Sequence, residues 1–340
     1  MRGYALMNQG ILSVIGNTPL IRLTRVLKDI NFRLYAKLEA FNPGGSTKDR
    51  PAFGILKQGL DTGVISADTV VIESSSGNMG IGLAQACSYM GLRFICVVDP
   101  KTTAQNIRLL RAYGAEIDMV MEPDAITGEY LPTRINRVNE LRFIIDNSFW
   151  PNQYENELNP LAHHQTMREI AVALGNEIDY LFCATSTCGT IRGCAAYVRD
   201  NGLKTKIIAV DAKGSVIFGG ESAKRLIPGH GAAVRPALFQ PDMASDCVHL
   251  SDLECVIGCR RLVREEAIMA GGSSGAVLMA VAHFAHEIPD GATCVAIFPD
   301  RGERYLDTIY SDEWVTEHFG NVSSFWEDKL QIEPDLELAY

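Results

Sequence analysis

TVVIESSSGNMGIGLAQACSYMG, residues 69–91, decides the architecture. It opens on a run of β-branched apolar residues, passes through a loop of serine, glycine and asparagine, and closes in a helical pattern ending at Gly91. Strand, polar loop and helix in that order is the repeating half of a parallel sheet. The habit recurs. RFICVVDP (93–100) and IDMVME (117–122) read as strands around the helical NIRLLRAYGAE (106–116). In the second half, DYLFCATSTCGTIRGCAAYVRDNG (179–202) repeats the unit, with a helix expected from near Ile191. KIIAVDAKGS (206–215) and TCVAIFPD (293–300) add strands, and GAVLMAVAHFAHEI (275–288) adds an apolar helix. The expected fold class is α/β, with two open, mostly parallel sheets.

At 340 residues and 47% apolar content the chain can bury a core for about two domains. SFWPNQYENELNP (148–160) is polar, proline-containing and non-periodic, and marks the change between them. We therefore expect an N-terminal α/β domain over 1–155, whose early segment crosses to the other half. A C-terminal α/β domain over 156–325 and an acidic tail over 326–340 should follow. A formal charge of −10 disfavours nucleic acid, which needs a basic face. No stretch reaches the roughly 18 apolar residues of a membrane span, and MRGYALMNQGILSVIG lacks a long apolar run, so no membrane partner and a cytoplasmic location are expected. The nine cysteines lack paired CxxC spacing, so no metal site is expected and most should be reduced core residues.

Three loops rich in glycine and hydroxyls fall at helix starts, where such sheets bind ligands. SSSGNMG (74–80), with Ser75, Ser76, Gly77 and Asn78, suits a carboxylate. STCGTIRG (186–193) lets backbone amides approach a phosphate, with Ser186, Thr187 and Thr190 as donors. It has neither the GK[ST] ending of a Walker loop nor the GxGxxG of dinucleotide sites, which weakens a nicotinamide oxidoreductase reading. GGSSGA (271–276) places a serine where it can meet a ring nitrogen. Any one of these loops can equally be a plain helix cap. Lys48, in FNPGGSTKDR (41–50), gives the set a purpose: a lysine that forms a Schiff base with a phosphate-bearing carbonyl cofactor needs such a phosphate cradle. That cofactor is pyridoxal 5'-phosphate.

The motifs then resemble the cysteine synthase and cystathionine β-synthase family of fold-type II pyridoxal-phosphate enzymes, whose sheets are of the tryptophan synthase β type. The likeness runs over about residues 10 to 310, through IGNTPLIRL (15–23), KLEAFNPGGSTKDR (37–50), SSGNMG, QYENELNPLAHH (153–164), IPGHGAA (227–233), GGSSGA and FPDRGERYLDT (298–308). What it implies is carried over by residue. Lys48 resembles the catalytic, cofactor-holding lysine, Asn78 the partner of the cofactor's phenolic oxygen, and Ser273 the partner of its pyridine nitrogen. Ser186, Thr187, Cys188, Gly189 and Thr190 resemble the phosphate cup. Ser75, Ser76, Gly77 and Gln153 look like the clamp on the substrate carboxylate. A homodimer is likewise implied. A neutral serine at the ring nitrogen makes a weaker electron sink and suits β-replacement, with Lys48 as the base that takes and returns the Cα proton. Asp49 and Arg50 are expected to fix the loop rather than react.

Two departures stand out. Ser186 and Cys188 stand where cysteine synthases resemble GTGGT, and Tyr154 stands where they usually carry Phe. Sulfide needs no orienting donors, so added hydroxyls suggest a larger polar second substrate. FPDRGERYLDTIYSDEW (298–314) and LPTRINRV (131–138) resemble the siderophore and 2,3-diaminopropionate branch of the family. The resemblance implies O-phospho-L-serine and L-glutamate as substrates, N-(2-amino-2-carboxyethyl)-L-glutamate as product, and an oxidative partner downstream. Arg134 is the candidate for the substrate phosphate, as a bidentate donor, unless it is an ordinary surface arginine; Arg235 is the weaker alternative. Cysteine synthase using O-acetylserine or O-phosphoserine with sulfide is the second reading, and a catalytically silent relative is the third.

Overall fold

The computed structural model describes residues 10–126 and 128–326. Among them the apolar runs form two sheets. The larger has the order β1 (Leu20–Arg22), β2 (Arg33–Leu38), β10 (Thr293–Phe298), β7 (Tyr180–Ala184), β8 (Lys206–Ala212), β9 (Asp246–Leu250), with only β1 antiparallel. The smaller is all parallel, in the order β5 (Glu116–Met119), β4 (Arg93–Val98), β3 (Val70–Ser74), β6 (Ser148–Phe149). The α/β class with mostly parallel sheets is therefore the observed one.

Helices cover both faces of the larger sheet, which is why its central strands β10 and β7 are apolar rather than alternating; every residue of β10 is buried. One face packs on α7 (Asp252–Glu266) and α8 (Gly272–Phe284), the other on α5 (Leu158–Ala173) and α6 (Gly189–Asp200). In the smaller unit α1 (Asp49–Asp61) and α2 (Asn78–Met90) lie on one face and α4 (Tyr130–Ile144) on the other. Between β4 and β5 runs α3 (Ala104–Ala112), and α9 (Asp312–Phe319) closes the larger unit.

Both helix pairs on the larger sheet meet backbone to backbone. A Cβ on Gly275 would lie 2.1 Å from the Cys255 carbonyl oxygen, and one on Gly258 would lie 2.2 Å from that of Gly275. Between α5 and α6, a Cβ on Gly193 would lie 2.1 Å from the Pro160 carbonyl oxygen. Real side chains do not fit at such distances, so glycine is the residue that lets each seam close.

The chain enters the larger sheet first, leaves for the smaller one, and returns. β1 and β2 share a sheet with β7–β10, so the early segment lies in the larger sheet. The tail expected over 326–340 lies, beyond Trp326, outside the described residues. The helix expected from near Ile191 starts two residues earlier, at Gly189, because Cys188 takes the left-handed conformation (φ 67°) and turns the chain at once into the helix. All nine cysteines are free, and all but Cys247 are buried. Among the described residues no metal-ligating cluster occurs, and no helix is long and apolar enough to cross a membrane.

Candidate active site

Lys48 directly precedes α1, in a loop fixed from three sides. The Gly44 N–H donates to Asp49 Oδ2 at 2.5 Å, the Lys48 N–H to Ser46 Oγ at 3.2 Å, and the Thr47 N–H to the Pro299 carbonyl at 2.8 Å. Beneath the loop Arg50 pairs with Glu39 at 2.6 Å and Glu169 at 2.7 Å, and Lys37 pairs with Glu169 at 2.7 Å. Two buried cations thus meet the buried Glu39 and the half-buried Glu169, and no charge is stranded. Burial alone would push Glu39 and Glu169 up, but the Arg50 guanidinium outweighs it and holds both below the usual carboxylate range, Glu169 at about 2. Asp49 and Arg50 therefore sit in the scaffold of the loop. The Lys48 amine has no hydrogen bond or ion pair among the described residues. Burial lowers its pKa, against the opposing pull of Cys183, Asp300 and Glu39. A desolvated, unpaired amine is what a nucleophilic lysine requires.

The loop after β7 ends in the cup residues at the start of α6. The backbone N–H groups of Ser186, Thr187 and Cys188 donate to no other described residue, and those of Gly189 and Thr190 open a helix, beyond reach of an intrahelical acceptor. Side chains from α5 brace this end. The Asn159 amide donates to the Thr187 hydroxyl at 3.4 Å and to the Gln153 carbonyl at 2.8 Å, and His163 Nε2 lies 3.3 Å from Thr190 Oγ1. A Cβ on Gly189 would strike Asn159 Oδ1 at 2.1 Å, so Gly189 is needed for the brace. Burial, reinforced by the charges of Lys48 and Arg50, holds His163 well below its ordinary pKa, and it braces the cup as a neutral ring.

After β3, Gly77 precedes α2, and a Cβ there would meet nothing within 4 Å. Ser75 Oγ accepts the Gly80 N–H at 2.9 Å and the Gly77 N–H at 3.4 Å, so the serine read as part of the carboxylate clamp also shapes the helix start. Ser76 is half-buried, and its carbonyl accepts from Asn106 at 3.0 Å. The N–H groups of Ser76, Asn78 and Met79 donate to no other described residue, which leaves room for an anion at this helix start. Asn78 Nδ2 donates to Asp300 Oδ2 at 2.8 Å, while its carbonyl oxygen accepts from Arg304. Asp300 follows β10, bridges to Ser46, and accepts the Gly271 N–H on its carbonyl at 3.1 Å. Thus the lysine loop, the start of α2 and the start of α8 converge on Asp300. Ser273, in the first turn of α8, is half-buried with no side-chain hydrogen bond among the described residues.

A fourth group lies toward the smaller sheet. Arg134, on α4, is only 8% exposed, which rules out a surface arginine. Its Nε lies 3.2 Å from Asp99 Oδ2, yet neither Nε nor Nη1 makes a well-aligned hydrogen bond. Tyr154 lies within reach of the Arg134 charge; burial pushes its hydroxyl up to about 12, against the pull of Arg134. Gln153 donates from Nε2 to the Ser74 carbonyl at 3.2 Å. Arg235 does not join this group: it is exposed, stacked 4.8 Å from the Phe239 ring and bonded to the Ile217 carbonyl.

Sequence reasoning assigned no part to several residues here. Glu73, directly before SSSGNMG, accepts from Trp150, from the Ser74 N–H and from the Gln153 N–H at 3.0, 2.8 and 3.2 Å, and burial pushes it to about 7. Asp300, Arg304 and Tyr305 lay in a quoted motif without a role. An acidic residue in an otherwise apolar strand is the one signal that could have flagged Glu73.

A half-buried, unpaired lysine, a helix start with free N–H groups, an asparagine and an unbonded serine fit pyridoxal phosphate by their donor chemistry. Lys48 can hold its aldehyde carbon, residues 186–190 its phosphate, and Asn78 and Ser273 its ring. Comparison with known proteins agrees. The family model described as pyridoxal-phosphate dependent enzyme matches residues 11–300. Among solved structures, the O-acetylserine dependent cystathionine β-synthase of Helicobacter pylori is 32% identical, with a TM-score of 0.83 over 90% of this chain and 100% of that one. A cysteine synthase of Entamoeba histolytica is 32% identical, with a TM-score of 0.83 over 91% and 92%. An O-ureido-L-serine synthase is 30% identical, with a TM-score of 0.83 over 91% and 98%. The chain is an enzyme that uses pyridoxal phosphate, and it belongs to the pyridoxal-phosphate dependent enzyme family, in its cysteine synthase and cystathionine β-synthase branch.

Proposed function

We propose that this enzyme catalyses β-replacement on O-phospho-L-serine with L-glutamate, giving N-(2-amino-2-carboxyethyl)-L-glutamate and phosphate. When bound, pyridoxal phosphate supplies the electron sink that lets the Cα proton and then the Cβ substituent leave. The chain's residues do the rest. The N–H groups at the start of α2, with Ser75, Ser76 and Gln153, hold the α-carboxylate. Lys48, freed by the incoming amine, takes the Cα proton and later returns it. Phosphate departs with the electron pair of the Cβ–O bond, and the glutamate nitrogen forms the new Cβ–N bond as it gives up a proton.

The observation that carries the choice of leaving group is Arg134, a buried guanidinium that faces Asp99 and whose Nε and Nη1 lack well-aligned hydrogen bonds. An acetate leaving group does not call for such a cation, and a phosphate does. Tyr154 and Ser186 add hydroxyls for the second amino acid. The named relatives support a family in which the incoming group varies: one makes cystathionine and another O-ureido-L-serine. A cytoplasmic homodimer and a downstream oxidative enzyme releasing 2,3-diaminopropionate, for a siderophore or antibiotic, belong to the same reading.

Cysteine synthesis from O-acetylserine or O-phosphoserine with sulfide is the alternative, since most of the same residues serve it. Mass spectrometry of reactions containing O-phospho-L-serine with either L-glutamate or sulfide decides. A glutamate adduct with matching phosphate release supports the proposal; cysteine formation with no adduct overturns it.

A further inference from the structure

Asp300 is buried at the meeting point of three loops, yet only one of its carboxylate oxygens is bonded. Oδ2 accepts from Asn78 Nδ2 at 2.8 Å and from the Tyr305 hydroxyl at 2.6 Å, while Oδ1 has no hydrogen-bond partner. Asn78 is held from its other side by Arg304, whose second guanidinium nitrogen bonds the Gly44 carbonyl in the lysine loop. A guanidinium only donates, so it must face the amide oxygen. The amide nitrogen must then face Asp300. One of its two N–H groups is used there, and the other has no partner among the described residues.

We infer that Asp300, with Arg304 and Tyr305, is a positioning residue that locks the Asn78 carboxamide in one of its two orientations, so that its unused N–H is the one presented to the cofactor ring. The inference rests on the reading of Asn78 as a ring partner and extends it to residues of the FPDRGERY segment. The lock also joins the two sheets, because Asn78 starts a helix of the smaller unit and Asp300 follows a strand of the larger. An unlocked amide could turn its oxygen toward the phenolic oxygen of the cofactor, replacing attraction by repulsion. Asp300 acts through its acceptor oxygen, so an asparagine there, with its own oxygen toward Asn78 and Tyr305, preserves the lock.

The test uses the cofactor-loaded enzyme and reads the visible absorption maximum of the bound cofactor, which responds to the hydrogen bond at the phenolic oxygen. Cofactor content and far-ultraviolet circular dichroism are followed in parallel. Asn78→Ala, Asp300→Ala, the double variant and Asp300→Asn are compared. Asp300→Ala should move the maximum in the same direction as Asn78→Ala and to a similar extent, the double variant should move it no further, and Asp300→Asn should leave it at the wild-type position. An unmoved maximum in Asp300→Ala, additive shifts in the double variant, or a shifted Asp300→Asn each overturn the inference while leaving Asn78 in place. An unmoved maximum in Asn78→Ala overturns the reading of Asn78 and the inference together. If Asp300→Ala does not fold, Asp300→Asn alone still decides, since a displaced maximum there refutes the lock.

Discussion

Replacing Glu73 by glutamine should change the pH dependence of stability more than stability itself. Glu73 sits next to the end of β3, fully buried, and burial pushes its carboxyl from 4.5 to about 7 despite donors from Trp150, Ser74 and Gln153 and the nearby Arg134. Between those values the folded protein keeps a proton that the unfolded chain has released. The unfolded state therefore binds fewer protons, and stability falls as the pH rises. At about 1.4 kcal/mol for each tenfold difference in proton affinity, the gap amounts to about 3 kcal/mol, present in full below pH 4.5 and lost as the pH passes 7. Glutamine cannot ionise and removes that slope. Near pH 5 the variant should be the less stable protein, because an amide NH2 facing the Gln153 N–H puts donor against donor at a cost of about 1–3 kcal/mol. At pH 8 it should equal or exceed the wild type. Urea midpoints of the cofactor-loaded proteins at pH 5 and pH 8 give the comparison, and using the difference between variant and wild type cancels other groups such as Asp49. A difference that stays constant across this interval would refute the reasoning, and would mean that Glu73 is ionised in the fold.

Lys48→Ala should fold normally yet gain no cofactor mass when treated with pyridoxal phosphate and borohydride, whereas the wild type gains one per chain; a labelled variant removes Lys48 from the site. Arg134→Lys keeps a positive charge opposite Asp99 but loses the planar fork, and should lower kcat/KM for O-phosphoserine by about 30-fold, the equivalent of a charge-assisted contact of about 2 kcal/mol. An unchanged value separates Arg134 from the leaving group. Gly189→Ala pushes a Cβ into Asn159 Oδ1 and should weaken cofactor binding, measured by equilibrium dialysis, while Gly77→Ala, which meets nothing, should leave it intact. Equal affinities for both would refute the brace.

How far this was legible depended on the range of the interactions involved. β3, β4, β7 and β10 announced themselves because strands covered on both faces are apolar over most of their length. Lys48 was legible because loops at helix starts carry their purpose in local composition. The early start of α6 was hidden, since nothing local says that a cysteine will adopt a left-handed conformation normally left to glycine. Partnerships across the chain were invisible too: the pairing of β2 with β10, and the bond between Asn78 and Asp300, depend on which sheet each segment joins. Arg134 illustrates the intermediate case. Its chemistry could be read from its type, but whether it lay in water or under α4 required the packed structure.

The glycine seams of the larger unit bear on how such an enzyme can diversify. Where α5 meets α6 and α7 meets α8, the backbones touch, and almost any side chain added there forces the helices apart, and with them the cup and Ser273. Those positions have little freedom to drift. Around Arg134, Tyr154 and Gly77 the constraints are side-chain contacts and open space, which single substitutions can rewrite. The architecture thus divides its sequence into a part that must be inherited and a part that can be varied, so libraries aimed at new nucleophiles or leaving groups should be confined to α4 and Tyr154.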